Sequence, residues 1–408
     1  MSYIIVVGGG AAGMMSAIAA AEKGAKVLLI EKNDRMGKKL AITGKGRCNV
    51  TNNCGLETLM ENIPNNGRFL YSALSQYLPQ DTMEFFESMG VPLKTERGQR
   101  VFPVSDKAAD IVDALATRLD RLRVETVREN VRSLIIENDI CRGVNTHNRQ
   151  FSAGAVILAT GGASYPKTGS DGYGYRLAEQ AGHTIITPRP SLSALVTEEK
   201  WVRKATGLTL KNAAVRLLDN GKTIYEDFGE VLFTAGGIGG ATILSASAHI
   251  PEMSENRYTI MIDLKPALTE KQLDARILRD FAELHGGTFG QSLRKLLPKE
   301  LVEPVSEITN IPVEKKIGEI NKIERNTLVN TLKFLALKIK NFRPIDEAII
   351  TRGGVCVREI SPKTLESKLC KALYFAGEII DVDAYTGGFN LQIAFATGRL
   401  AGISAANS

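Results

Sequence analysis

An apolar strand, a glycine turn, a helix of small residues and a second apolar strand ending in an acid fill residues 3–31. The turn reads Gly8-Gly9-Gly10-Ala11-Ala12-Gly13, and the second strand reads Val27-Leu28-Leu29-Ile30-Glu31. This order predicts a βαβ unit. Gly8 permits the tight turn, Gly10 lets backbone approach a pyrophosphate, and Gly13 lets the helix pack close to the strand. The helix opening at Ala11-Ala12 offers unpaired N–H groups and the positive end of its dipole to phosphate. Glu31 lies 21 residues past Gly10, at the distance where a carboxylate accepts from ribose hydroxyls. A glycine-rich turn without a ligand would leave Glu31 unexplained, so a dinucleotide site is expected here.

At 408 residues the chain exceeds what one core usually holds, and two domains are expected. No apolar run reaches the roughly 20 residues of a membrane span. The N-terminal apolar stretch lacks a basic leader region and is broken by glycine, unlike a signal peptide. These features predict a cytoplasmic protein without membrane insertion. The net charge of +6 is spread along the chain. Basic residues do not cluster with aromatic platforms, so nucleic acid is not expected as a partner. The five cysteines form no CxxC, and no Cys/His grouping has metal-ligand spacing, so no metal site is expected. Free thiols suit a reducing compartment. His147, His183, His249 and His285 are scattered and read as surface or satisfied structural residues.

Residues 32–55 read as a long irregular segment, and Ser105 as the cap of a helix running to about Leu119. Strands are predicted over Val131–Glu137, Cys141–Thr146 and Ala155–Ala159, with a turn at Asn138-Asp139. From 191 to 265 polar and apolar residues alternate, predicting antiparallel strands. From 266 to 342 the pattern reads as helical: Thr269-Glu-Lys-Gln opens like a capping box, and Glu324–Lys340 has helical apolar spacing. The C-terminus returns to α/β character, with the strand Leu373-Tyr-Phe, then Gly377-Glu378, then a helix opened by Gly387-Gly388-Phe389-Asn390-Leu391. The expected organisation is therefore an α/β domain over 1–190 and 350–408, with 191–349 inserted.

The second half selects the dinucleotide. A NAD-only dehydrogenase needs no closing segment like 373–405. Flavoenzymes combine an N-terminal glycine turn, a strand ending in Ala159-Thr160-Gly161-Gly162, and a C-terminal strand, Gly-Glu and glycine-led helix. That last helix aims its N-terminus at the flavin pyrimidine ring, where charge collects on reduction. FAD is expected.

Several segments carry a family resemblance: Gly37-Lys-Lys-Leu-Ala-Ile-Thr-Gly44-Lys-Gly46-Arg47-Cys48-Asn49, Gly98-Gln-Arg-Val-Phe102-Pro103, Ala159 through Ser170, Thr351-Arg-Gly353-Gly354-Val355, and Gly377-Glu378 through Gln392. With them the chain resembles a bacterial family of FAD-binding oxidoreductases that includes aminoacetone oxidases and a dienone reductase of bile-acid dehydroxylation. The resemblance implies non-covalent FAD in a two-dinucleotide-binding, Rossmann-like domain split by a β-barrel-like and helical insert, with the site between them. Carried over by position, Gly8, Gly10, Gly13 and Glu31 hold the ADP half, Lys32 lies beside the ribose, and Val131 meets adenine through its backbone. Gly46, Arg47 and Cys48 line the flavin side, with Thr160, Gly161, Gly377 and Glu378 along the cofactor. Asp381 and the turn Gly388-Phe389-Asn390-Leu391 bind its ribityl, phosphate and pyrimidine groups. The family often carries Phe-Thr-His-x-Gly-Ile-Ser-Gly-Pro in the insert. This chain has Phe233-Thr-Ala235-Gly-Gly-Ile238-Gly239-Gly240-Ala241, without the histidine or proline, so no role of that histidine transfers.

Three functions stay open. The leading one is an NAD(P)H-driven reductase of an activated C=C bond, with a small-molecule substrate, transient nicotinamide docking, Arg47 polarising a carbonyl and Tyr165 donating a proton. The second is an amine oxidase of the aminoacetone type, against which the absence of an aromatic cage speaks. The third is a non-catalytic flavin redox sensor. The sequence leaves the oligomeric state open.

Overall fold

The computed structural model describes residues 3–408. The chain divides into two units, Met1–Ser191 with Pro344–Ser408, and Leu192–Arg343.

The first unit is built on a parallel sheet in the order Leu373–Phe375, Ala155–Leu158, Ile4–Val7, Val27–Glu31, Glu125–Arg128. The three strands on one side of it, over 4–7, 155–158 and 373–375, are buried at every position. That burial accounts for their continuous apolar runs, since a parallel sheet is covered on both faces. The first helix, Ala11–Glu22, is buried from Ala12 to Ala20. It packs against the last helix, Phe389–Ala406, through small residues. A Cβ on Gly398 would stand 2.4 Å from the Ala12 carbonyl oxygen, and one on Gly402 2.3 Å from that of Ser16.

An antiparallel meander follows the sheet, over Val131–Glu137, Ile140–Thr146 and Gln150–Ser152. Asn138 and Asp139 both have positive φ, 51° and 59°, as a two-residue type I′ hairpin requires. A two-stranded ribbon pairs Ile185–Ser191 with Ile350–Val355. Residues 32–55 are more regular than their composition suggests. They hold a short helix, Lys38–Ile42, and a strand, Thr51–Asn52, which pairs with Arg100 and Val101. Ser105 is not the helix cap. The helix begins at Ala108, and Ser105 instead accepts the Lys107 N–H at 3.2 Å in the turn before it.

The second unit is a closed barrel in the order Leu195–Thr197, Gly237–Gly239, Lys222–Thr234, Thr209–Asp219, Tyr258–Asp263, Leu335–Phe342. Its core includes Phe233, Tyr258 and Phe289. Helices over 270–283, 289–296, 302–309 and 322–333 join it. The capping box at Thr269 forms, with Gln272 Oε1 accepting the Thr269 N–H at 2.9 Å. The expected helix through Lys340 stops at Lys333, and Leu335–Phe342 is a strand. Leu328, Leu332, Leu335 and Ile339 satisfy the helical period, while Leu335, Leu337 and Ile339 satisfy the period of two. Closing the barrel decides between them. The Gly237–Gly239 segment is likewise barrel strand, where a Gly237 Cβ would lie 1.9 Å from the Leu195 carbonyl oxygen.

His183 is a buried structural residue. Its Nδ1 lies 3.2 Å from Glu359 and its Nε2 2.7 Å from Ser367 Oγ. Burial pushes its pKa below the ordinary 6.5, and the nearby Glu359 opposes the shift only in part. The unfolded chain therefore binds a proton below pH 6.5 that the fold refuses. Thermal stability should hold above pH 7 and fall as pH drops through 6.5. Melts between pH 7.5 and 5 should show that slope flattened in His183→Gln.

Candidate functional site: a dinucleotide cradle in the first unit

The glycine turn is fixed by close approaches. Gly8 has φ of +105° and donates to the Ile30 carbonyl at 2.8 Å. A Cβ on Gly13 would overlap the Gly8 carbonyl oxygen at 1.8 Å, so the helix can pack here only with glycine. A Cβ on Gly10 would meet nothing within 4 Å, which leaves the outer face of the turn open to a ligand. Glu31 reaches back to the turn. Its Oε2 accepts the Gly9 N–H at 2.6 Å, and its Oε1 accepts from Asn33 N and Nδ2 at 2.8 and 2.7 Å.

Neither the first nor the last helix has a side-chain cap or an acid in its first turn. The first-turn amides around Ala11 and Ala12, and around Phe389, Asn390 and Leu391, thus lack the usual side-chain acceptors. Gly388, the last helix's N-cap, has φ of +103°, and a Cβ there would strike Thr51 backbone at 2.3 Å. Gly398, which touches the first turn of the first helix, is ten residues further on, so the two N-termini stand about 15 Å apart along the axis. An elongated ligand with a charged group near each end fits that pair.

Polar residues converge between these ends. Gly377 has φ of +75°, donates to Thr397 Oγ1 at 3.0 Å, and faces Ala12. Glu378 pairs with Lys39 at 2.7 Å and accepts from Thr351 N at 2.8 Å and Ser164 Oγ at 3.1 Å. Asp381 accepts from Asn65 and Asn66 Nδ2 at 2.9 and 3.0 Å and from Gly353 N at 3.1 Å. Thr160 Oγ1 is buried without a hydrogen-bond partner, and Gly161, with φ of +75°, abuts Ser170. Glu129 N donates to the Glu31 carbonyl at 3.0 Å, which brings buried Val131 to the Glu31 end of the cradle. Lys32 is paired with Asp171 at 2.7 Å.

Other candidates fall outside this polar group. Gly46 has φ of +83° with open space around it. Arg47 stacks on Phe102 at 4.1 Å and is held by Asp106 at 2.6 and 2.8 Å and by Glu96. Two carboxylates thus offset its charge. Cys48 is fully buried, and burial pushes its thiol up to about 12, so it stays protonated and fills space. Tyr165 adopts φ of +53° and caps a short turn whose Thr168 donates to its carbonyl at 2.8 Å. Asn390 uses its side chain internally, bonding Ala384 N and O at 2.9 and 2.8 Å. Sequence reasoning passed over Lys39, Ser164, Thr351, Asn65 and Asn66. Lys39, Ser164 and Thr351 stand inside the quoted family segments, whereas Asn65 and Asn66 stand in none of them.

The fold and this cradle define an FAD-dependent oxidoreductase of the Rossmann type. The family model described as "HI0933-like protein Rossmann domain" matches residues 2–404, and the chain belongs to that family. It is 33% identical to a 3-dehydro-bile acid delta(4,6)-reductase of Clostridium scindens, over 100% of this chain and 99% of the relative. It is 29% identical to a ribosomal RNA dihydrouridine synthase of Haemophilus influenzae, over 98% and 97%. Among solved structures, a flavocytochrome c3 fumarate reductase in its open conformation superposes with a TM-score of 0.53 at 18% identity, over 100% of this chain and 78% of that one. A 3-ketosteroid delta1-dehydrogenase of Sterolibacterium denitrificans gives 0.53 at 15% identity over 100% of both chains. These two likenesses concern the fold. No helix among the described residues is long and apolar enough to cross a membrane.

Proposed function

We propose that this protein reduces a C=C bond conjugated to a carbonyl, with a reduced nicotinamide as transient electron donor. The observation that carries the reading is the 33% identity, along the whole chain, to a delta(4,6)-reductase of a 3-oxo bile acid. The relative acting on ribosomal RNA fits the same chemistry, because dihydrouridine is uridine with its carbonyl-conjugated ring double bond saturated.

When bound, FAD supplies hydride transfer. In this reading 1–190 and 350–408 form the cofactor domain, and 191–349 sets specificity. Gly8, Gly10, Ala11, Ala12 and Gly13 seat the pyrophosphate, and Glu31, flanked by Lys32 and Val131, takes the ribose. Thr160, Gly161, Gly377, Glu378 and Asp381 hold the middle. The amides of Gly388 through Leu391 face the pyrimidine end, and Gly46 to Cys48 close the flavin side. Five free cysteines fit an enzyme of the cytoplasm. Replacing Glu31 by Ala removes a charged acceptor, and FAD binding should weaken by about 1.5–3 kcal/mol. Equilibrium titration of the apoprotein with FAD measures this.

The substrate is a small dienone in our first reading. The relative that modifies ribosomal RNA supports a second, in which a uridine in RNA is the acceptor; the dispersed charge of this chain does not favour that reading. The test is anaerobic stopped-flow absorbance. NADH or NADPH should bleach the flavin, and a 3-oxo-4,6-dienone steroid should restore it faster than unmodified ribosomal RNA or O2. Restoration by RNA alone would establish the second reading. Bleaching by aminoacetone with rapid recovery in air would replace both with an amine oxidase.

A further inference from the structure

A carboxylate is fixed in the middle of the cradle, close to where a dinucleotide would bring its diphosphate. Glu378 Oε1 accepts from Thr351 N and Ser164 Oγ, and its Oε2 accepts from Lys39 Nζ at 2.7 Å. Its side chain is only 13% exposed. Glu378 follows Gly377, where a Cβ would lie 2.7 Å from Ala12 Cβ in the first turn of the first helix. A diphosphate seated at that turn is therefore a second anion beside Glu378. Two anions shielded from water repel each other unless a cation stands between them.

Lys39 reaches this place from the glycine turn. Gly37 N donates to the Gly9 carbonyl at 2.8 Å, and a Cβ on Gly9 would lie 2.8 Å from Met36 Cγ. The helix Lys38–Ile42 thus starts against the turn itself. From that helix Lys39 Nζ donates to Ser164 Oγ at 2.6 Å as well as to Glu378. Ser164 is fully buried, and its hydroxyl also donates to Glu378 Oε1, so ammonium and carboxylate are locked in one geometry. An ammonium has three N–H groups. Two are used here, and among the described residues no acceptor meets the third. The Lys39 side chain is 23% exposed, which leaves that N–H open to a ligand.

We propose that Lys39 is the diphosphate-binding cation of the cradle, giving its third N–H to a phosphate oxygen while it offsets Glu378. This rests on the dinucleotide reading above. A phosphate oxygen suits the position because it accepts and carries charge, and bonds between charged partners exceed neutral ones. One ammonium then separates the two anions. The competing role for Lys39 is to hold Glu378 alone.

Lys39→Met should weaken FAD binding about 10- to 100-fold in titrations of the full-length apoprotein. Lys39→Arg, which keeps the charge, should recover part of it. Lys38→Met, one position earlier and paired with Asp34 at 2.6 Å, is the control and should bind as wild type does. In a Glu378→Gln background, Lys39→Met should still weaken binding about fivefold or more. No further loss in that background would mean that Lys39 serves only Glu378, and would overturn the proposal. Phosphorus NMR of the FAD-loaded protein reads the diphosphate itself. Its resonances should move between wild type and Lys39→Arg, and identical positions would overturn the proposal. That comparison decides the matter if Lys39→Met does not fold. Wild type that binds no FAD would overturn the dinucleotide reading and this proposal together. Unchanged binding in Lys39→Met, or equal loss in Lys38→Met, overturns this proposal alone. If the binding results hold while no enone restores the flavin, the reductase reading fails and the diphosphate site stands.

Discussion

Gly13→Ala should yield a protein that purifies with little or no flavin. The added Cβ falls 1.8 Å from the Gly8 carbonyl oxygen, and that atom belongs to backbone, which cannot rotate away. The helix must move off the turn, or the turn must open. Overpacking of this kind costs about 1–3 kcal/mol or more of stability. The larger effect is on the ligand, because in the proposed reading the Gly8–Gly10 turn and the first-turn amides seat the pyrophosphate. A shift there should weaken FAD binding about 10- to 100-fold. The yellow absorbance per mole of protein, with titration of apoprotein by FAD, measures it. Wild-type flavin content in Gly13→Ala would show that the turn is not the phosphate seat.

Gln392→Leu should be the most destabilising polar-to-apolar change in the first unit. Gln392 is fully buried in the last helix. Its Oε1 accepts from Thr51 Oγ1 and Thr82 Oγ1, both at 2.7 Å, and its Nε2 donates to the Tyr77 carbonyl at 2.9 Å. One side chain thus ties the last helix to segments more than 300 residues earlier. Leucine matches its volume but leaves two hydroxyls and a carbonyl without their partner. At about 1–3 kcal/mol for each buried unsatisfied group, the loss is on the order of 4 kcal/mol. That corresponds to a fall in Tm of roughly 8–16 °C for a unit of this size. Differential scanning calorimetry checks it, and a shift under about 2 °C would mean that the cluster rearranges freely.

Much of the cradle was legible because its parts are local. Gly8, Gly13 and Glu31 belong to one βαβ unit, and each has a steric or charge requirement that few other residues meet. Gly388 was legible for the same reason, as glycine before a small-residue helix. The long-range contacts were not. Nothing in the sequence near Lys39 says that it will meet Glu378, 339 positions away. Arg47 stands beside a glycine in a quoted segment, and the structure alone shows the two carboxylates that hold it. The strand at Leu335–Phe342 was misread because its apolar residues satisfy two periods, and only barrel closure selects one.

The sheet order also sets the timing of synthesis. The strand Leu373–Phe375 pairs with Ala155–Leu158, and the helix Phe389–Ala406 covers the first helix. Both lie beyond the whole of Leu192–Arg343 in sequence. On the ribosome, the inserted unit is complete before the unit whose two segments bracket it in sequence. The stretch from Pro344 to Ser408 spans 65 residues, which take roughly 3–13 s to synthesise. Through that interval the small-residue face of Ala11–Glu22 has no partner helix. A nascent chain stalled once residue 343 has cleared the exit tunnel would carry a folded barrel tethered to an apolar half-core, the form in which a chaperone would find it.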